Sequence, residues 1–296
     1  MTVPSMTTPA RPRSGAMVTA RGAGPAMRRV PEITAVFWIT KVLTTAMGES
    51  TSDSLVHAID PFLAVGLGGV GLVIALVLQF SMRRYVAWVY WLAVVMVAVA
   101  GTMAADVLHI EFGVPYVVST GFFAVVLAAV FALWRRTEGT LSIHSITTQR
   151  RESFYWATVF ATFALGTALG DFTATSLHLG YLASGILFGV VILLPALAWW
   201  QFGLNSIAAF WMSYVVTRPL GASFADYISK PQNISGINFG DGPTAIVFAI
   251  AVFVLVSYLA VARPDIQRPL TTPAPRGQRT APPELLDTGD LEPDVE

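Results

Sequence analysis

Four aspartates stand at one fixed distance behind four tryptophans. Trp38, Gly48 and Asp53 recur as Trp91, Gly101 and Asp106, as Trp156, Gly166 and Asp171, and as Trp211, Gly221 and Asp226, with ten residues from Trp to Gly and five from Gly to Asp in every copy. Carboxylates in apolar surroundings can hold a small cation or carry a proton, and hard oxygen donors suit divalent ions. The first copy adds to its aspartate. Glu49, Asp53 and His57 follow one another at four-residue steps and project from one helix face. The equivalent rows are Thr102, Asp106 and Ile110; Thr167, Asp171 and Thr175; and Ala222, Asp226 and Lys230. Two acids and an imidazole in line would relay a proton or pass a divalent cation, with His57 titrating near neutrality. Two bases inside apolar stretches, Lys41 and Arg218, are expected as counter-charges that face the interior and pair, because an unpaired charge at a span centre costs about 2.5–3.5 kcal/mol on insertion scales.

The elements that position these residues follow from composition. Of 296 residues, 54% are hydrophobic and 12% charged, against about 25% charged in soluble domains, and the mean hydropathy is +0.63. This is the composition of an integral membrane protein. With no net charge and no cysteine, nothing points to nucleic acid, and thiolate metal sites, disulfides and cysteine nucleophiles are excluded. Copper(I) is disfavoured for the same reason, while His57 would also suit manganese or zinc.

Eight apolar stretches, at 34–57, 61–80, 85–110, 115–134, 152–178, 180–199, 204–229 and 242–262, are each long enough to cross a hydrocarbon layer of about 30 Å. The Trp–Gly–Asp register falls on the odd-numbered ones, so the unit is a two-helix hairpin used four times, at about 32–80, 85–134, 152–199 and 204–262. The expected fold is an all-α polytopic bundle of eight transmembrane helices in four parallel repeats. The arm 1–31 and the Pro-rich, acidic tail 263–296 read as disordered. Fifteen of the 18 basic residues lie in the arm, the 81–84 turn, the 135–151 loop and the tail, against Lys230 alone on the other side. By the positive-inside rule both ends are cytoplasmic.

Within each motif helix Trp and Asp lie about 60° apart, which marks one face. Asp53 sits about 12 Å from the middle of its span toward the outer side. An aspartate near a helix carboxyl end meets the unfavourable end of the macrodipole, so local helix stability does not explain it there four times. The motif glycines and the small residues before each aspartate, Ser52, Ala105, Gly170 and Ala225, read as helix-packing contacts, and Gly185 with Gly189 likewise. The tryptophans are expected to be structural, near the inner interface. Asp60 and Asp241 stand where helices begin and read as caps, and Pro219 is expected to kink the seventh span. His144 reads as solvated.

No enzyme signature survives. Gly66, Gly68 and Gly71 match a dinucleotide-binding pattern only in letters, because they lie inside an apolar span. No zincin motif, phosphate loop or nucleophile elbow is present. Asp171 follows Gly170, yet Ala168 stands where an intramembrane aspartyl protease needs glycine. No catalytic residue and no cofactor is expected.

Over residues 32 to 262 the chain resembles bacterial membrane proteins built from four tandem copies of a two-span repeat of unknown function, each copy with a characteristic Trp. The resemblance implies eight spans in a bacterial inner membrane and carries no activity. The residues favour a transporter of a small cation, divalent metal included, or a proton-coupled solute transporter. Its sites would be Asp53, Asp106, Asp171, Asp226, Glu49 and His57, and its partners the lipid bilayer and the cation or proton. A cation channel with an Asp ring, and a membrane anchor or sensor without transport, are the other classes. Substrate, direction and oligomeric state stay open.

Overall fold

The computed structural model describes residues 28–266. The arm 1–27 and the tail 267–296, both expected to be disordered, lie outside the described residues. All regular structure among the described residues is helical: α1 (Ala35–Ala58), α2 (Pro61–Ser81), α3 (Ala87–Asp106), α4 (Tyr116–Glu138), α5 (Gln149–Asp171), α6 (Gly180–Val191), α7 (Leu193–Phe202), α8 (Ser206–Ser229) and α9 (Asp241–Ala262). α3 and α5 continue into π-helical turns, Val107–Glu111 and Phe172–Ser176. α6 and α7 are halves of one segment, Gly180–Phe202, so the expected sixth stretch is a broken helix. Pro195 has no N–H for the carbonyl four residues earlier, and the break falls just before it. α8, by contrast, is one helix through Pro219, whose ring packs against the side-chain-free surface of Gly166.

Local chemistry sets the starts. The Thr34 hydroxyl accepts from Phe37 N at 3.2 Å, and Asp60 caps α2 by accepting from Leu63 N at 3.1 Å ahead of Pro61. Asn205 caps α8 in the same way.

Among the described residues six segments are long and apolar enough to cross a membrane: Pro61–Ser81, Ala87–Glu111, Tyr116–Glu138, Gln149–Ser176, Gly180–Phe202 and Asp241–Ala262. α1 and α8 are each 24 residues long, about 36 Å, but carry charged residues along their length. These two lie inside the bundle with α3 and α5. α1 packs on α3, α3 on α5, α5 on α8, and α8 on α1, which closes a ring. The more apolar helices lie outside it, and each covers the next inner helix along: α2 on α3, α4 on α5, α6 and α7 on α8, and α9 on α1. In the most apolar stretches 72% of α5 is buried but only 17% of α2 and of α9. Leu67, Val70 and Ile74 on α2, with Ile246, Ile250 and Phe253 on α9, are more than half exposed. A surface of that kind is stable against lipid and not against water.

Two motif positions hold the ring. Gly48 meets Ala98, Gly101 meets Phe163 and Ala164, Gly166 meets Arg218 and Pro219, and Gly221 meets Thr45 and Val42, in each case so closely that a Cβ would collide. Every motif glycine is therefore where its helix touches the next inner helix, as expected of packing residues. The tryptophans carry the second set of contacts. The aromatic residue just before each Trp packs at a tilt against the Trp of the following copy: Phe37 on Trp91 at 5.8 Å, Tyr90 on Trp156 at 5.5 Å, Tyr155 on Trp211 at 6.1 Å, and Phe210 on Trp38 at 5.7 Å. Trp91, Trp156 and Trp211 are buried, so they belong to the core and not to a lipid-facing belt.

Residues next to the arm and tail close the Trp end. Val30, Ile143 and Ile146 are buried in the aromatic cluster. Arg29 Nη1 reaches the fully buried Glu152 at 2.5 Å, and Gln79 donates to the other oxygen of that carboxylate at 2.8 Å. Tyr85 donates its hydroxyl to Asp265 at 2.5 Å. Packed structure thus extends a few residues past both expected domain boundaries.

Candidate cation site at the acidic end of the helix ring

Moving along the inner helices from Trp to Asp, the first charged group is Lys41. It is fully buried, with Nζ 4.0 Å from the Phe163 ring centroid, 4.5 Å from that of Tyr214, and 3.4 Å from Thr45 Oγ1. Among the described residues no carboxylate lies within ion-pair distance of it, which corrects its expected role as a paired counter-charge. The reason is depth. Glu49 is eight residues further along, about 12 Å on a helix, and another base stands between them.

That base is Arg218, fully buried and directed at the middle of the ring. Its Nη2 lies 2.5 Å from Glu49 Oε2, 2.5 Å from Thr167 Oγ1, and in contact with Thr102 Oγ1. Glu49, Thr102 and Thr167 are the residues after the motif glycine in copies one, two and three, so one guanidinium from the fourth copy ties the other three together. Thr102 also donates to Glu49 at 3.1 Å. Arg218 Nε and Nη1 are buried without a hydrogen-bond partner among the described residues. Arg218 is thus the counter-charge of Glu49, as its position in the sequence suggests. Removing either partner would strand the other in a dry interior.

One turn beyond lie the aspartates. Asp226 is 4% exposed and Asp53, Asp106 and Asp171 are half-buried. All four lie within electrostatic range of other acids of the set. Three acids come closer still: one oxygen from each of Glu49, Asp53 and Asp226 falls within 4.8 Å of the others, a spacing that could hold a metal ion. Asp106 and Asp171 stand outside this trio, each at the start of a π-helical turn.

His57 is not part of the trio either. Its side chain is 70% exposed and its Nδ1 lies 3.1 Å from Asp241 Oδ2. Glu49, Asp53 and His57 share a helix face as expected, yet each has a different partner: Arg218, Lys230 and Asp241.

Lys230 and Asp241, which read in the sequence as a loop charge and a cap, join the acidic end through ion pairs. Lys230 Nζ lies 2.6 Å from Asp53 Oδ2 and 3.3 Å from Asp241 Oδ1. Burial works against its charge, and the carboxylates of Asp53, Asp226 and Asp241 overcome that cost and hold the ammonium protonated above its ordinary range. Asp60 is a cap; Asp241 begins α9 and binds two bases as well. The available signal was register, since Lys230 stands four residues after Asp226 as His57 stands four after Asp53. A cavity lined by His57, Lys230, Asn238 and Asp241 together with Pro231 and Ile234 opens beside this ion-pair group.

A family profile described as a Repeat of Unknown Function (DUF347) matches residues 36–85, 89–140, 154–203 and 209–264. Each matched segment begins two residues before a motif tryptophan, so the profile and the Trp–Gly–Asp register divide the chain in the same four places. No curated protein and no solved structure matches the chain.

Proposed function

The chain belongs to the DUF347 family of tandem repeats, and on that premise we propose that its four copies together form one membrane transporter of a small cation. The eight helical segments are eight spans: the polar α1 and α8 cross the bilayer inside the ring, where their charges are paired or covered, and the apolar helices face lipid. The hairpins are parallel repeats in a bacterial inner membrane, with both ends of the described domain on the cytoplasmic side. The distribution of basic residues supports this orientation.

The observation that carries the reading is the convergence of Glu49, Asp53 and Asp226, from the first and last copies, into a group of carboxylate oxygens within 4.8 Å. A cavity reaches Lys230 and Asp241, the residues next to that group, while the opposite end of the ring is packed with aromatic rings. An acidic site with a cavity near one side and dense packing on the other suits alternating access. A permanently open channel is the weaker reading, because Arg218 lies across the middle of the ring. Transport rather than catalysis is the proposed activity, with a small cation or proton and the lipid as the partners.

The test is flux of manganese or protons into proteoliposomes containing the purified protein. Asp53→Asn and Asp226→Asn should each lower flux at least tenfold at unchanged membrane insertion, since the amide keeps the size and removes the charge. Wild-type flux in both variants would overturn the proposal.

A further inference from the structure

The Lys230 ammonium already pairs with one carboxylate of the trio. It lies 2.6 Å from Asp53, a member of the carboxylate trio, at the end of a flexible stem and only 17% exposed. It also has a second seat, because Asp241 Oδ1 is 3.3 Å away on the side of the cavity. The trio itself is not saturated. Asp226 is 96% buried by its 4% exposure, and its Oδ1 has no hydrogen-bond partner among the described residues, although its ligand oxygen lies within 4.8 Å of those of Glu49 and Asp53. Burying an ionised oxygen unpaired is costly, so its position within a group of ligand atoms points to a missing positive partner. Both hydrogen bonds to Glu49 fall on Oε2, which leaves its other oxygen outside the Arg218 pair.

Resting on the transporter reading above, we propose that Lys230 is a displaceable tenant of the Glu49–Asp53–Asp226 site: a divalent cation takes over the three carboxylates, and the ammonium moves aside to Asp241. Charge balance favours a divalent ion. Three carboxylates against the guanidinium of Arg218 leave two negative charges when Lys230 departs, which one divalent cation neutralises. Lys230 alone leaves one negative charge uncompensated. Oxygen-only ligation and the absence of cysteine suit magnesium, manganese or calcium. The exchange of a tethered cation for a free one sets a threshold, so the site fills only when the ion outcompetes the lysine.

The full-length protein in nanodiscs, titrated with manganese and followed by electron paramagnetic resonance, tests this. Lys230→Gln should bind manganese at least tenfold more tightly than wild type, and Lys230→Arg should not. Asp241→Asn should weaken binding several-fold in the wild-type background and less than twofold in the Lys230→Gln background, because the second seat matters only while the lysine is present. Equal affinities in wild type and Lys230→Gln, or additive effects of the two substitutions, would overturn the displacement and leave cation binding standing. Absence of manganese binding in every monodisperse variant would overturn both. Asp226→Asn, by removing a ligand, should abolish binding even with Lys230→Gln.

Discussion

Copies two and three differ from copies one and four at the same register positions. Before the Trp, the middle copies have Tyr90 and Tyr155, whose hydroxyls meet at 2.5 Å, while the outer copies have Phe37 and Phe210. After the Gly, the middle copies have Thr102 and Thr167, and the outer copies have Glu49 and Ala222. Beyond the Asp, the middle helices loosen into π-turns, whereas α1 and α8 stay α-helical and lead to His57 and Lys230. Lys41, Glu49, Arg218 and Lys230 all belong to the outer copies. The aromatic, Trp and Gly positions that build the ring are common to all four. Shared aromatic, Trp and Gly positions thus make the frame, and the charges that join the four shared aspartates stand where the two halves part.

The largest test of that division is Arg218→Met, which strands Glu49 in the interior. It should cost about 3–5 kcal/mol in thermal unfolding of the purified protein. Adding Glu49→Gln should recover much of the loss. A single variant as stable as wild type would show that the charged half contributes nothing to the frame. Next, the glycine contacts should be equivalent in both halves. Gly48→Ala and Gly101→Ala should each cost about 1–3 kcal/mol through overpacking against the neighbouring helix. Gly66→Ala, where a Cβ meets open space, should change stability by no more than about 0.5 kcal/mol. A cost in one half only would end the idea of a common frame. Among the variants that break a contact, the smallest loss is expected for Tyr90→Phe, which gives a middle copy the residue of an outer one and removes the partner of the Tyr155 hydroxyl, at about 1–2 kcal/mol by the same measurement.

Much of this was legible in the sequence for a physical reason: Trp and Asp stand out against an apolar background, so their spacing marks the repeat unambiguously. The inward direction of Glu49 and Arg218 followed from the cost of exposing charge to lipid. The aromatic residues before each Trp did not stand out, because a Phe or Tyr within an apolar span has no contrast with its neighbours. Lys41 was misread because the cost argument requires a partner without saying which kind, and here the Phe163 and Tyr214 rings take that role. Lys230 and Asp241 look like loop residues in one dimension and meet Asp53 only when the last copy closes on the first.

That closure affects how the protein can be made. α1 is covered on one side by α9, and its Glu49 is paired with an arginine 169 residues later. The first of the described helices therefore finds α2 and α3 early and its two remaining neighbours, α8 and α9, only at the end. Until the fourth copy arrives, α1 waits with a lysine, a glutamate and an aspartate and no base for either acid. Its residence in the bilayer before then must rely on the translocation machinery or on delayed entry. Closure of the ring waits for the fourth copy, whatever contacts the first three have already made.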